Sequence, residues 1–159
     1  MMSEVTIVEL SPQPVLGIRK TGAYREIPVM LNRICEFAFS KNIQITGYPV
    51  FLWHETTVEE AQKAEVDENA DIEVAFPISE FVENTGDEEI KVYELPGGKM
   101  AKVVHEGPYE ESILTYEKLF FWITENGKRI AGPVREVYLN DPQEVKPEEI
   151  LTEIYAPLE

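Results

Sequence analysis

Slid along itself by 85 positions, the first half of this chain falls on the second without a gap. Glu9-Leu10 lies over Glu94-Leu95, Gly22 over Gly107, Tyr24 over Tyr109, Glu26 over Glu111 and Gly47 over Gly132. Apolar positions between these identities match in kind, with Val5 and Ile7 over Ile90 and Val92, and Ile18 over Val103. A shorter echo at a shift of 80 sets Ile72–Ile78 against Thr152–Leu158, so the copies differ in loop length before their last strand. Two copies are too few for a solenoid. The pattern predicts a fused pair of half-domains about a pseudo-twofold axis, with repeats at about 4–82 and 88–159 of one domain covering 1–159. On that axis a carboxylate, Glu136, answers an aromatic, Phe51.

Each copy reads strand, strand, helix, strand, strand. Val5–Leu10 is β-rich and stops at the turn signal Ser11-Pro12-Gln13-Pro14, and Val15–Lys20 is the second strand, ended by Thr21-Gly22. Ile27, Met30, Leu31, Ile34, Phe37 and Ala38 then recur at helical spacing, and Asn42 closes that helix. Tyr48–His54 and Ile72–Phe76 complete the copy. In the second copy Ile90–Leu95 and Lys99–His105 flank Pro96-Gly97-Gly98. A helix carrying Ile113, Tyr116, Leu119, Phe120 and Ile123 ends at the C-cap Asn126-Gly127, and Pro133–Leu139 and Leu151–Ala156 follow. The joint Glu83–Glu89 reads as a polar turn. The expected class is therefore α+β, with two antiparallel four-stranded halves and one helix backing each. The segment Glu55–Asp71 carries seven acids and reads as a solvated surface or short exposed helix, with a mobile lid as the sharper alternative.

Bulk properties narrow the function. The chain has 159 residues, enough for a real core in one domain. Thirty acids against 14 bases give a net charge of −16, and no basic stripe offsets it, so direct nucleic-acid binding is not expected. The same field attracts cations, and it also serves solubility. A single cysteine, Cys35, excludes an internal disulfide and reads as a small core residue of its apolar run. No basic-then-apolar leader and no long apolar run is visible, which predicts a cytoplasmic protein that does not enter a membrane.

Strand alternation sorts the third strand of each copy into two faces. Val137 and Leu139 are expected to face the helix, leaving Glu136 and Tyr138 on the far side; by the same parity Val50 and Leu52 face the helix while Phe51 and Trp53 face away. The two strands then contribute Phe51, Trp53, Glu136 and Tyr138 to one central groove. Aromatic faces attract cations by about 0.5–2 kcal/mol each, and an enclosed carboxylate requires a partner. An organic cation satisfies both demands. In the bland alternative, Phe51 and Trp53 cover the far side of the sheet, and Glu136 reaches solvent or pairs with Arg135 or Arg129.

Enzymatic motifs are mostly missing. His54 and His105 are the only histidines and fit no metal-ligand spacing. By the same parity His54 falls on the core side with Leu52, and both histidines read as structural. No P-loop, GxGxxG or GxSxG occurs, and neither a cofactor nor a metal is expected. One reaction stays open, in which Glu136, with Tyr109, Tyr138 or Tyr155, activates water against a strained electrophile.

The series His105-x-Gly-Pro-Tyr-Glu, Tyr116-x-x-Leu-x-x-Trp122, Gly132-Pro133-x-x-Glu136-x-Tyr138-Leu139-x-x-Pro142 and Thr152-Glu153-Ile154-x-x-Pro157-Leu158 resembles the GyrI-like small-molecule-binding domains. These include effector-binding domains of AraC- and MerR-type multidrug-responsive activators. The resemblance implies a duplicated strand-strand-helix-strand-strand fold of the SOUL-like kind, with a central groove for aromatic, often cationic, ligands. It puts Glu136 at the glutamate that contacts the drug in the family's multidrug binders, with Phe51, Trp53, Tyr109, Tyr138 and Tyr155 as the aromatic wall. It also implies two alternatives. Some members hydrolyse cyclopropane-bearing alkylators, with Glu136 then catalytic, and another inhibits DNA gyrase. No helix-turn-helix segment is visible, so the expectation is a scavenger, a sensor acting through a DNA-binding regulator, or a small hydrolase.

Overall fold

The computed structural model describes residues 3–80, 82 and 85–159. Eight strands and three α-helices follow one another as β1 (Thr6–Leu10), β2 (Gln13–Gly22), α1 (Ile27–Ser40), β3 (Val50–Trp53), α2 (Val58–Asp67), β4 (Ala70–Pro77), β5 (Lys91–Leu95), β6 (Gly98–Glu106), α3 (Ile113–Glu125), β7 (Arg135–Tyr138) and β8 (Leu151–Pro157). All eight expected strands are present and every pairing between them that is described is antiparallel. The class is α+β, and each repeat carries its expected helix. None of the described helices is long and apolar enough to cross a membrane.

The compact units are not the contiguous repeats. Residues 12–96 form one unit, and residues 1–11 with 97–159 form the other. In the N-terminal unit the strand order is β3-β4-β2-β5, and in the C-terminal unit it is β1-β6-β8-β7. The first strand of each repeat has thus joined the sheet of the other copy: Ile7 pairs with Ala101 on β6, and Tyr93 on β5 pairs with Val15. Nothing in the local pattern of β1 distinguishes a hairpin with β2 from a ladder with β6, because alternation specifies a face and not a partner.

In the C-terminal unit the core lies between α3 and one face of the sheet. Thr115, Leu119 and Ile123, four residues apart, are the buried positions of α3. They share the core with Ala101, Val103 and His105 of β6 and Thr152, Ile154 and Ala156 of β8, all nearly solvent-free. Gly127, at φ 67, ends the helix in the left-handed conformation that glycine adopts without steric cost. In the N-terminal unit Met30, Ile34 and Ala38 form the matching stripe on α1, with Pro28 in the first turn and Asn42 in the left-handed position at its end. Cys35 is exposed, not a core residue, because it sits one residue past Ile34 and so turns off that stripe.

The acidic insertion forms α2, a short exposed helix with only Ala64 buried. Thr57 caps it by accepting a bond from the Glu60 backbone at 3.0 Å. The expected polar joint begins at Glu83-Asn84, outside the described residues. Its remainder is an Asp turn in which the Asp87 carboxylate accepts from the backbones of Glu89 and Ile90 at 2.8 and 2.9 Å.

Candidate functional site

Glu136 occupies the second position of β7 and is only 8% exposed. Two tyrosine hydroxyls donate to it: that of Tyr138, two residues along the strand, at 3.0 Å to Oε1, and that of Tyr116, from α3, to Oε2. This bond corrects the expected facing. Glu136 lies on the helix side of the sheet, since a residue of α3 reaches it directly. Alternation does not settle the face here because Val137 and the flanking Val134 and Leu139 offer apolar side chains to both sides. Tyr116 is expected from the sequence on this helix, three residues before Leu119, but the pattern gives no sign that its hydroxyl meets Glu136.

The Tyr109 ring packs edge-on against Tyr138 with centroids 5.5 Å apart. The turn before α3 fixes this ring. His105 is buried, with Nδ1 2.7 Å from the Thr115 hydroxyl and Nε2 3.0 Å from the Pro108 carbonyl. A carbonyl only accepts, so Nε2 carries the proton. Gly107, at φ 130, makes the bend that presents Tyr109. His105 therefore acts structurally, as its place at a strand end implies.

Burial pushes the Tyr138 hydroxyl well above its ordinary range, and the Glu136 charge and hydrogen bond push it further. Tyr109 is raised for the same reasons, burial first and Glu136 next. Both phenols stay protonated, so they stand beside the Glu136 carboxylate as neutral groups.

In the N-terminal unit the corresponding positions are aromatic. Phe51 is 1% exposed and packs edge-on against Trp53 at 4.9 Å, and Tyr24 stands edge-on to both, at 6.3 and 5.4 Å. Tyr24 immediately precedes α1, so Phe51 and Trp53 also belong to the helix side, contrary to the parity expectation. The Tyr24 hydroxyl donates to Glu55 at 2.5 Å, and Glu55 also accepts from the Asp71 backbone at 3.1 Å. Both ends of the acidic insertion are thereby tied to the aromatic cluster.

The remaining residues lie elsewhere. Tyr155 is in register with Arg135, hence on the face opposite Glu136, and its hydroxyl donates to Glu153 at 3.1 Å. It is no member of the Glu136 cluster. Lys102 completes this group, 2.9 Å from Glu153 and over the Tyr155 ring. His54 sits 2.7 Å from Glu73, a buried carboxylate that also accepts from Tyr93 at 2.6 Å. A surface cleft of about 450 Å³ lined by Phe37, Lys41, Ile43, Ser79 and Val82 lies in the N-terminal unit and contains none of the expected site residues.

The family model of the GyrI-like small molecule binding domain matches residues 3–159. Among solved structures, the EcmrR C-terminal domain is similar with a TM-score of 0.83 at 22% identity, covering 98% of this chain and 97% of that domain. In the EcmrR–DNA complex the match spans 57% of the EcmrR chain. A hydrolase from Listeria innocua gives a TM-score of 0.69 at 14% identity, over 98% of this chain and 92% of that one. SAV2435 bound to tetraphenylphosphonium gives 0.58 at 13% identity, over 99% and 94%. At these identities the likeness is one of fold. No curated protein matches the chain.

Proposed function

The chain belongs to the GyrI-like small molecule binding domains, and on that premise we propose that it binds lipophilic aromatic cations through Glu136, as a sensor or scavenger. The observation that carries this reading is the Tyr116–Glu136–Tyr138 arrangement with the Tyr109 ring beside it. Hydroxyl donors hold the carboxylate in place while adding no positive charge of their own, and a ligand cation brought against it gains direct attraction. Rings supply stacking area, and each contributes about 0.5–2 kcal/mol to a desolvated cation. Tyr24 and Trp53, half-buried beside the fully buried Phe51, offer a second aromatic surface. SAV2435 was solved with a cation of this class, which makes tetraphenylphosphonium the natural probe. In EcmrR a domain of this fold belongs to a DNA-bound protein, which favours a sensor that reports to a DNA-binding regulator.

Calorimetric titration with tetraphenylphosphonium and neutral triphenylphosphine oxide tests the reading. Glu136→Gln is expected to weaken the cation about tenfold or more, since about 1.4 kcal/mol of lost attraction suffices, and to leave the neutral compound nearly unchanged. Equal losses for both compounds would sink the electrostatic role.

A second reading rests on the same carboxylate. In this reading Glu136, held by two phenols, would serve as a general base toward water, and a hydrolase is among the proteins of this fold. Ring-opened product from a cyclopropane-bearing alkylator, absent with Glu136→Gln, would favour it.

A further inference from the structure

The outer face of α3 is built the wrong way round for a helix that meets only water. Its inward stripe includes a polar residue, Thr115, satisfied by His105, while two large apolar residues point outward. Leu114 is 65% exposed and Phe121 66% exposed. On a helical wheel Leu114, Glu117, Phe121 and Glu125 form one stripe opposite Thr115, Leu119 and Ile123, about 16 Å long at 1.5 Å per residue. Solvent faces of helices are ordinarily polar. Two large apolar residues seven apart on one face are the spacing by which a helix receives another helix.

The charges around this pair select the occupant. Glu117 and Glu125 alternate with the apolar residues along the stripe, and Glu110 and Glu111 precede the helix, all exposed. The helix has a single base, Lys118, and its Nζ is engaged by the Ser3 carbonyl at 3.2 Å and lies 3.5 Å from Glu4. A second copy of this chain, with its net charge of −16, would bring acid against acid on this stripe. Anionic membrane is repelled for the same reason. The corresponding face of α1 differs: its exposed Val29 and Phe39 stand ten residues apart with Asn32 and Glu36 between them.

We infer that the Leu114–Glu125 face of α3 is a docking surface for a basic amphipathic helix of a partner protein. Leu114 and Phe121 seat the partner's apolar positions, and Glu117 and Glu125 pair with lysines or arginines flanking them. The surface lies on the side of α3 away from Tyr116, the residue that reaches Glu136.

The test uses the full chain, isotope-labelled, and a synthetic helical peptide of about 18 residues with leucine at heptad a and d positions and lysine beside them. The same peptide with glutamate for lysine is the control. Amide shifts confined to α3 and the turn before it, with the basic peptide alone, are expected. Leu114→Ser with Phe121→Ser should weaken binding about tenfold or more without lowering the thermal midpoint, since neither side chain is in the core. Glu117→Lys with Glu125→Lys should transfer the preference to the acidic peptide. Binding unaffected by the serine pair, or shifts spread over the acidic surface at large, would overturn the proposal. So would a dimer in sedimentation equilibrium that Phe121→Ser dissolves, because the face would then belong to a second copy.

Discussion

Position for position, Tyr109, Glu136 and Tyr138 of the C-terminal unit answer to Tyr24, Phe51 and Trp53 of the N-terminal unit, and Tyr116 answers to Leu31. One copy holds a carboxylate with two hydroxyl donors, and the other holds three rings in edge-to-face contact. The difference is a linked set of changes. Where the strand carries Glu136, the helix carries Tyr116 to bond it, and where the strand carries Phe51, the helix carries Leu31. A carboxylate at 8% exposure without such donors would cost far more than a phenyl ring in the same place.

The largest effect should come from moving one member of the set alone. Phe51→Glu places a carboxylate in an aromatic cluster that lacks the helix hydroxyl. The expected loss of stability is about 3–5 kcal/mol, the range for a buried charge with no partner. Adding Leu31→Tyr supplies the missing donor and should recover about 1–2 kcal/mol. Urea unfolding of the single and double variants measures both. No recovery would mean that the two copies share a pattern without sharing geometry.

A second contrast lies on the opposite face. Glu73 and Glu153 correspond at the shift of 80, and each accepts from a tyrosine. The base beside Glu153 is Lys102, while the matching position beside Glu73 is Gly17. Gly17 leaves room for Tyr93 to lie across the strand: a Cβ there would come within 2.3 Å of its hydroxyl. Gly17→Val should therefore cost about 2–3 kcal/mol, from overpacking and from a buried carboxylate losing a donor. Gly17→Lys with Tyr93→Val rebuilds the arrangement around Lys102, where Val8 holds the place of Tyr93, and should return at least about half of that. Thermal unfolding of both variants decides the matter.

These contrasts also mark what the sequence could and could not disclose. The eight strands, the two repeat helices and the caps at Asn42 and Gly127 were legible because periodicity and turn chemistry are local. The exchange of β1 and β5 between the sheets was not, since a strand's neighbours are fixed by distant packing. The site was half legible. Glu136, Tyr138 and Tyr109 do come together, but the parity that grouped Glu136 with Tyr138 put them on the wrong side of the sheet, because β3 and β7 bury side chains on both faces. Phe51 is 1% exposed and Leu52 4%, so hydrophobicity alone gives no sign of which one meets the helix. Tyr155 stands apart from Glu136 for a related reason. It shares a strand with the core residues Ile154 and Ala156 but alternates away from them.

The smallest expected effect concerns the element that only one copy possesses. Helix α2 ends at Glu68, a non-glycine residue at φ 54. A side chain in this left-handed region is strained, and glycine removes the strain, a gain of up to about 1 kcal/mol. Against that gain stands the pair between Glu68 and Arg25 at 2.5 Å, exposed on both sides and therefore a weak contribution. Glu68→Gly should then raise stability by about 0.5 kcal/mol, and Glu68→Ala, which keeps the strain and loses the pair, should lower it slightly. If both substitutions destabilise equally in urea, Arg25 anchors the insertion more firmly than its exposure implies. The tie from Tyr24 through Glu55 would then be only part of what fixes α2 beside the aromatic cluster.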